Sequence, residues 1–318
     1  MGYTILMNTN EMIKALVDNV GIAIKGKPEA VKLAVVALIG RGHLLIEDVP
    51  GIGKTTLAYS LARSINCSFN RVQFTSDLMP SDIIGVTIYN QTRQEFEFKP
   101  GPIFANIILA DEINRTTPKT QSALLEAMNE GQVTVESATH PLPDPFMVVA
   151  TQNPLEFHGT YPLPESQMDR FMMRIQLGYP EVSDEKKILK AYAGGTVKDV
   201  VAPVLNAGDV TYLQDEALKV RMDDSLLDYI ISIVDATRNN DSLALGSSPR
   251  GTLFLQRAAR AHALFLGRDY CIPDDIKGLA VHVLSHRVIL NARGGFGRRQ
   301  GDAEEVIRDI LESVEVPV

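Results

Sequence analysis

The sequence predicts an α/β fold in which a mostly parallel, doubly wound sheet is sandwiched between helices, with a smaller all-α domain after it. Three features carry this. Apolar runs at Leu44–Ile46, Ile107–Ala110 and Phe146–Ala150 lack polar alternation, as strands covered on both faces require. Segments with apolar residues at helical spacing separate these runs. Beyond Tyr179 and Pro180 the strand-like runs cease and helical stripes remain.

Residues 10–40 read as helical: Val31, Ala34, Val35 and Leu38 share a face, Pro28 suits a first helical position and Gly40 a stop. The strand Leu44-Leu45-Ile46 follows, then the turn Glu47-Asp48-Val49-Pro50-Gly51-Ile52-Gly53-Lys54-Thr55-Thr56. A helix with Leu57, Ala58, Leu61, Ala62 and Ile65 on one face comes next. Strand, glycine turn and helix in this order make an anion site. Backbone N–H groups of residues 51–55 point into a concave loop at a helix N-terminus, where unpaired donors and the dipole both favour a phosphate. Pro50, Gly51, Ile52, Gly53, Lys54, Thr55 and Thr56 are therefore the candidate cradle. Lys54 can reach the β- and γ-phosphates, and the Thr55 hydroxyl can ligate Mg²⁺. Glycine at 51 and 53 removes a β-carbon that would block the phosphate or forbid the turn. The run departs from GxxxxGK[ST] at its first glycine, which is Asp48 here. Upstream, Ile24-Lys25-Gly26 reads either as a bed for a nucleotide base or as a plain connector.

Val72 and Phe74 alternate with polar neighbours as a strand does. Val86-Thr87-Ile88 and Phe96-Glu97-Phe98 suggest a hairpin with one apolar face across residues 85–99. The apolar run 106–112 ends in Asp111 and Glu112, placing both carboxylates at the sheet edge where open α/β folds bind ligands. Pro118 to Met128 reads as a helix with Thr117 as N-cap and Gly131 as stop. A second hairpin is expected at 132–141, and the strand after it ends at Thr151-Gln152-Asn153. Leu227, Ile230, Ile231 and Val234 form one later stripe; Ile276, Leu279, Ala280 and Val283 form another, and Val306, Ile307, Ile310 and Leu311 a third. The expected division is a nucleotide-binding core at 1–180, a mixed linker at 181–220 and a helical domain at 221–318.

Asp111 and Glu112 begin 57 residues after Lys54 (111 − 54). If their strand lies beside the loop strand, Asp111 can hold the Mg²⁺ shell while Glu112 polarises a water for attack on the γ-phosphate. Asn153 either orients that water from the other side or serves as a turn residue. Ser248-Pro249-Arg250 reads as an N-cap, a first-position proline and a first-turn arginine. A cation there opposes the helix dipole by about 0.3–1 kcal/mol, which either a γ-phosphate or a surface acid would relieve.

These residues sit in longer runs that resemble the MoxR family of AAA+ ATPases. The matching runs are Asp48–Thr55, Pro100–Asn106 leading into Asp111-Glu112-Ile113-Asn114-Arg115, Ala150–Pro154, Tyr161–Phe171 and Gly246–Arg250. The resemblance covers nearly the whole chain. It implies an AAA+ P-loop NTPase, an αβα sandwich with a helical lid, that binds ATP and ADP with Mg²⁺ and assembles as a ring, expected to be hexameric. It further implies that the first hairpin is the helix-2 insert and the second the pre-sensor hairpin. Asn153 looks like sensor 1, Arg250 like sensor 2, and Arg170 like the arginine finger that reaches a neighbour's site, with Arg174 as the rival. The implied work is maturation, activation or metal insertion of a protein client alongside a von Willebrand factor A domain partner.

Composition bounds the partners. Hydrophobic content of 45% with 22% charged residues is that of an ordinary soluble globular chain. The apolar runs are too short for a bilayer and no signal-peptide pattern opens the chain, so a cytoplasmic protein without membrane insertion is expected. Cys67 and Cys271 lie far apart with no CxxC spacing, and reduced structural thiols are expected. A net charge of −8 disfavours nucleic acid as a partner, although Arg293–Arg299 is either a solvated loop or a local basic groove. His282 and His286 are four apart without an acid ligand, which favours packing over metal binding. Two rival readings remain, a nucleic-acid motor and a nucleotide-gated scaffold without turnover.

Overall fold

The computed structural model describes residues 7–136, 138–154, 159–192, 201–291 and 300–317. Helices α1 (Thr9–Ala23) and α2 (Pro28–Ile39) lead into β1 (Leu44–Glu47), the glycine turn and α3 (Lys54–Ser64). The region read as helical at 10–40 is two helices, broken at the Ile24-Lys25-Gly26 segment, where Gly26 takes a φ of 71°. The core continues through β2 (Phe69–Gln73), α4 (Pro80–Ile84), the hairpin β3 (Gly85–Asn90) and β4 (Glu95–Pro100), β5 (Ile107–Asp111) and α5 (Pro118–Glu130). A second hairpin, β6 (Gln132–Val135) and β7 (Ala138–Pro141), precedes β8 (Met147–Gln152), α6 (Glu165–Met168) and β9 (Met173–Ile175). Thereafter the chain is mainly helical: α7 (Val182–Tyr192), α8 (Ala207–Lys219), α9 (Asp224–Arg238), α10 (Pro249–Phe265), α11 (Pro273–Leu284) and α12 (Gln300–Ser313), with β10 (Leu243–Leu245) and β11 (Ile289–Leu290) pairing antiparallel.

The central sheet is parallel, in the order β2-β5-β8-β1-β9. Its apolar strands divide by parity. Ile107, Leu109, Met147 and Val149 join a core with α1, α2, α3 and the later helices, whereas Ile108, Ala110, Val148 and Ala150 join a second core with Leu124 and Leu125 of α5. Coverage on both faces explains the absence of polar alternation in these strands.

Three expectations need correction. The strand of Asp111 does not neighbour the loop strand, because β8 inserts between β5 and β1 and hydrogen-bonds to both. The first hairpin does not have one apolar face. Its register pairs Val86 with Lys99, Thr87 with Phe98, Ile88 with Glu97 and Tyr89 with Phe96, so Val86 and Ile88 lie on one side while Phe96 and Phe98 lie on the other, with Tyr89. Finally, the stretch expected as a mixed linker contains α7 and α8. Val210 and Leu213 of α8 are buried, and the Gln214 amide donates to the Leu38 carbonyl at 2.9 Å, so this helix is packed against α2 rather than being a free connector. The basic run Arg293–Arg299 lies outside the described residues. Among the described residues, no helix is long and apolar enough to cross a membrane.

Candidate active site

The glycine turn has the backbone that its sequence demands. Gly51 and Gly53 have φ values of 86° and 99°, a left-handed region that a β-carbon disfavours. A β-carbon at either position would meet no atom within 4 Å, so conformation requires glycine here and the concavity of the loop is left open. Lys54 begins α3, is buried, and donates from Nζ to the Asp48 carbonyl at 2.7 Å. Asp48, the departure from the glycine pattern, has a structural task. Its Oδ2 accepts the N–H groups of Leu177 at 2.8 Å and Gly178 at 2.6 Å, tying the loop to the segment after β9.

At the carboxyl edge of β5, Asp111 is buried and Glu112 is partly exposed. The Thr151 hydroxyl donates to Asp111 Oδ1 at 2.6 Å and accepts the Glu112 N–H at 2.8 Å. Thus β8, the intervening strand, aligns both acids. Glu112 has a φ of 57° and ψ of 50°, a left-handed conformation costing about 1–3 kcal/mol in a non-glycine residue, which turns the chain sharply at the strand end. Two residues of the edge strand β2 complete the constellation. Arg71 donates twice to Asp111 Oδ2, and Gln73 donates from Nε2 to Glu112 Oε2 at 2.6 Å. Sequence reasoning missed Arg71, Gln73 and Thr151. The available signal was the pair of outward polar positions flanking buried Val72, facing the acids across the β2–β5 register.

Pro50, Gly51, Gly53, Lys54, Thr55 and Thr56 share one cavity of about 340 Å³ with Arg71, Gln73, Asp111 and Glu112. Room for a phosphate chain therefore lies between Lys54 and the acids. The Thr55 hydroxyl and Asp111 carboxylate are hard oxygen donors of the kind Mg²⁺ prefers. A second cavity of about 500 Å³ meets the same loop, with Ile24, Lys25, Ile52, Tyr179 and Leu189 in its wall, so the Ile24–Lys25 segment does border space beside the phosphate loop.

Residues 43–173 match the family described as "ATPase family associated with various cellular activities (AAA)", and residues 235–310 match "AAA lid domain". The chain is 50% identical over 302 residues to the uncharacterized protein YeaC of Bacillus subtilis, covering 95% of this chain and 94% of that one. It is 42% identical over 303 residues to Chaperone MoxR1 of Mycobacterium tuberculosis, covering 92% and 79% respectively. The chain belongs to the MoxR family of AAA+ ATPases. A crystal structure from Cytophaga hutchinsonii, of a protein classed as an ATPase, matches with a TM-score of 0.89 at 40% identity over 98% of this chain and 96% of that one.

In this MoxR-family ATPase the candidate cations do not converge on the phosphate loop. Neither Arg170 nor Arg250 lines its cavity. Both lie instead around Asp169, just after α6. Arg250 Nη1 is 3.9 Å from Asp169 Oδ2, and the Ser248 hydroxyl, which caps α10, donates to both Asp169 oxygens at 2.9 Å. Arg170 donates to the Leu125 carbonyl at 2.6 Å, and its Nε is buried without a partner. Burial, and then the charge of Arg250, lower the pKa of the Arg170 guanidinium. Arg174 is different: it is 8% exposed and spans Glu47, Ser285 and Glu304 at 3.1–3.3 Å, an internal tie between β1 and the later helices. Burial raises the Glu47 pKa, with Arg174 opposing. Asn153 is buried just past the end of β8. His282 and His286 face the carbonyls of Arg174 and Phe171 respectively. Cys67 and Cys271 are free thiols whose pKa values burial pushes up to about 11 and about 12.

Proposed function

We propose that this ATPase works as a ring, with six subunits expected, in which Mg²⁺-dependent hydrolysis at one subunit is completed by arginines of the next. The observation that carries this is the separation within one chain: the phosphate loop and both acids share one cavity, whereas Arg170 and Arg250 gather around Asp169 outside it. Lys54 and Arg71 line that cavity, and a neighbouring copy could supply the further cation that offsets charge on the transferring phosphoryl group.

In this reading residues 50–56 hold the triphosphate, while Thr55 and Asp111 hold Mg²⁺, which would neutralise phosphate charge there. Glu112 takes a proton from the attacking water and Asn153 orients that water. The cavity bordered by Ile24, Lys25 and Tyr179 takes the base. The internal ion pairs of Arg174 favour Arg170 over it as the finger. Turnover would drive remodelling, activation or metal insertion of a protein client. The chaperone designation of its M. tuberculosis relative supports that work; a von Willebrand factor A domain partner and a cytoplasmic site rest on family resemblance.

Mixing subunits tests the shared site. Lys54→Ala and Arg170→Ala proteins should each lose turnover by roughly 10³-fold or more. In a one-to-one mixture about a quarter of interfaces would pair an intact loop with an intact finger, so ATP hydrolysis should reappear. A mixture as inactive as either parent sinks the shared site.

A further inference from the structure

Arg71 occupies the one outward oxygen of the candidate metal carboxylate. Its Nε and Nη2 donate to Asp111 Oδ2 at 3.0 and 2.6 Å, while Oδ1 is engaged by Thr151 at 2.6 Å. A carboxylate oxygen has two lone pairs, and the guanidinium uses both of those on Oδ2. The same Nη2 donates to Gln73 Oε1 at 3.0 Å, and the Gln73 amide donates onward to Glu112. Thus one cation links the carboxylate expected to serve the metal to the one expected to activate water. The Arg71 side chain is 49% exposed, against 11% for Asp111, so the cation can withdraw into water while the acid stays fixed.

We propose that Arg71 is the displaceable counter-cation of Asp111, competing with Mg²⁺ for Oδ2, so that loading metal requires the guanidinium to withdraw. The proposal rests on the magnesium–ATP reading above. A buried carboxylate is costly without a counter-charge, and Arg71 supplies one when no metal does. Two cations on one oxygen repel, so the arrangements exclude each other. A pair with one half-exposed partner is weak enough to break on each loading. Withdrawal also removes the donor that fixes the Gln73 carbonyl, loosening the amide that holds Glu112. Metal loading and release of the base are thereby linked through one side chain.

Mg²⁺ titrations of the full chain, saturated with a fluorescent non-hydrolysable ATP analogue, read this competition as binding rather than turnover. Arg71→Gln should lower the half-saturating Mg²⁺ concentration about two- to fivefold. Arg71→Lys keeps the charge but loses the two-pronged contact and should shift it less, in the same direction; it carries the test alone if the glutamine variant fails to fold. An unchanged or raised midpoint overturns the proposal, leaving Arg71 as a pin that positions Asp111. A parent protein that binds no analogue at any Mg²⁺ concentration overturns the magnesium–ATP reading and this proposal with it.

Discussion

The phosphate-loop cavity and the Asp169 junction are both built on a carboxylate held by arginine, yet they differ in what surrounds the pair. At the cavity, Arg71 is half exposed and Asp111 stands beside open space. At the junction, Arg287 has a side chain only 1% exposed. It donates to the Asp169 carboxylate at 3.0 Å and to the carbonyls of Asp169, Phe171 and Val283, and its guanidinium lies 5.1 Å from the Phe254 ring centroid. Burial lowers the Arg287 pKa to about 10, with Asp169 opposing. An ion pair with water on one side can open for small cost, whereas one sealed in protein cannot. The contrast separates an ion pair that water reaches from one enclosed where the segment after α6 meets the helical domain.

The largest expected effect breaks chemistry at the cavity while leaving the junction untouched. Glu112→Gln should retain nucleotide binding and lose about 10²- to 10⁴-fold in kcat, since an amide cannot take the proton. Steady-state assays with a parallel binding titration check this. Normal turnover would remove Glu112 from the base role and make the left-handed turn at its Cα a feature of folding alone.

A stability comparison sharpens the contrast itself. Arg287→Met leaves the largely enclosed Asp169 carboxylate, 18% exposed, beside Ser248 without its main counter-charge and should cost about 3–5 kcal/mol. Arg71→Gln should cost about 1 kcal/mol or less, because the half-exposed guanidinium makes a solvent-screened pair and Asp111 keeps the Thr151 hydroxyl donor after it is gone. Urea denaturation of both variants against the parent decides it. Equal losses would mean that exposure of one partner does not distinguish the two regions.

Much of the cavity was legible before any coordinates. The loop from Glu47 to Thr56 and the acids after an apolar run are local patterns, and local patterns survive folding when strand and helix flank them as required. Strand order is not local. Nothing in residues 107–111 or 147–152 tells which lies beside β1, so the insertion of β8, and with it the alignment of both acids by Thr151, was invisible. Register was equally hidden. The turn between β3 and β4 pairs Asn90 with Glu95, so even-numbered residues of one strand oppose odd-numbered residues of the other; a shift of one residue would have given the single apolar face expected. Arg71 and Gln73 are, in sequence, only the polar neighbours of Val72 and Phe74; the register that sets Gln73 opposite Asp111 is what gives them a place in the site.

The smallest effect concerns acid, and it bears on the junction. His286 is buried there, its Nε2 lies 2.6 Å from Arg287 Nη1, and burial, followed by the charges of Arg287 and Arg174, lowers its pKa well below the ordinary value. A protonated ring would set two cations together in a buried site, which disfavours the charged ring in the folded state. Above a pH of about 6.5 both folded and unfolded states are neutral at this position and it contributes no pH dependence. As pH falls below that, the unfolded chain takes up the proton and the folded chain does not, so stability declines, by on the order of 1 kcal/mol at pH 5.5. His43, whose pKa burial lowers to about 4, contributes a decline of the same sign from the floor of the sheet. Unfolding free energies measured at pH 7.5 and 5.5 should therefore differ less in His286→Gln than in the parent, without becoming equal. An identical difference in both proteins would show that His286 takes up its proton as readily in the folded junction as in the unfolded chain, and that this region tolerates a second cation that its enclosed surroundings should forbid.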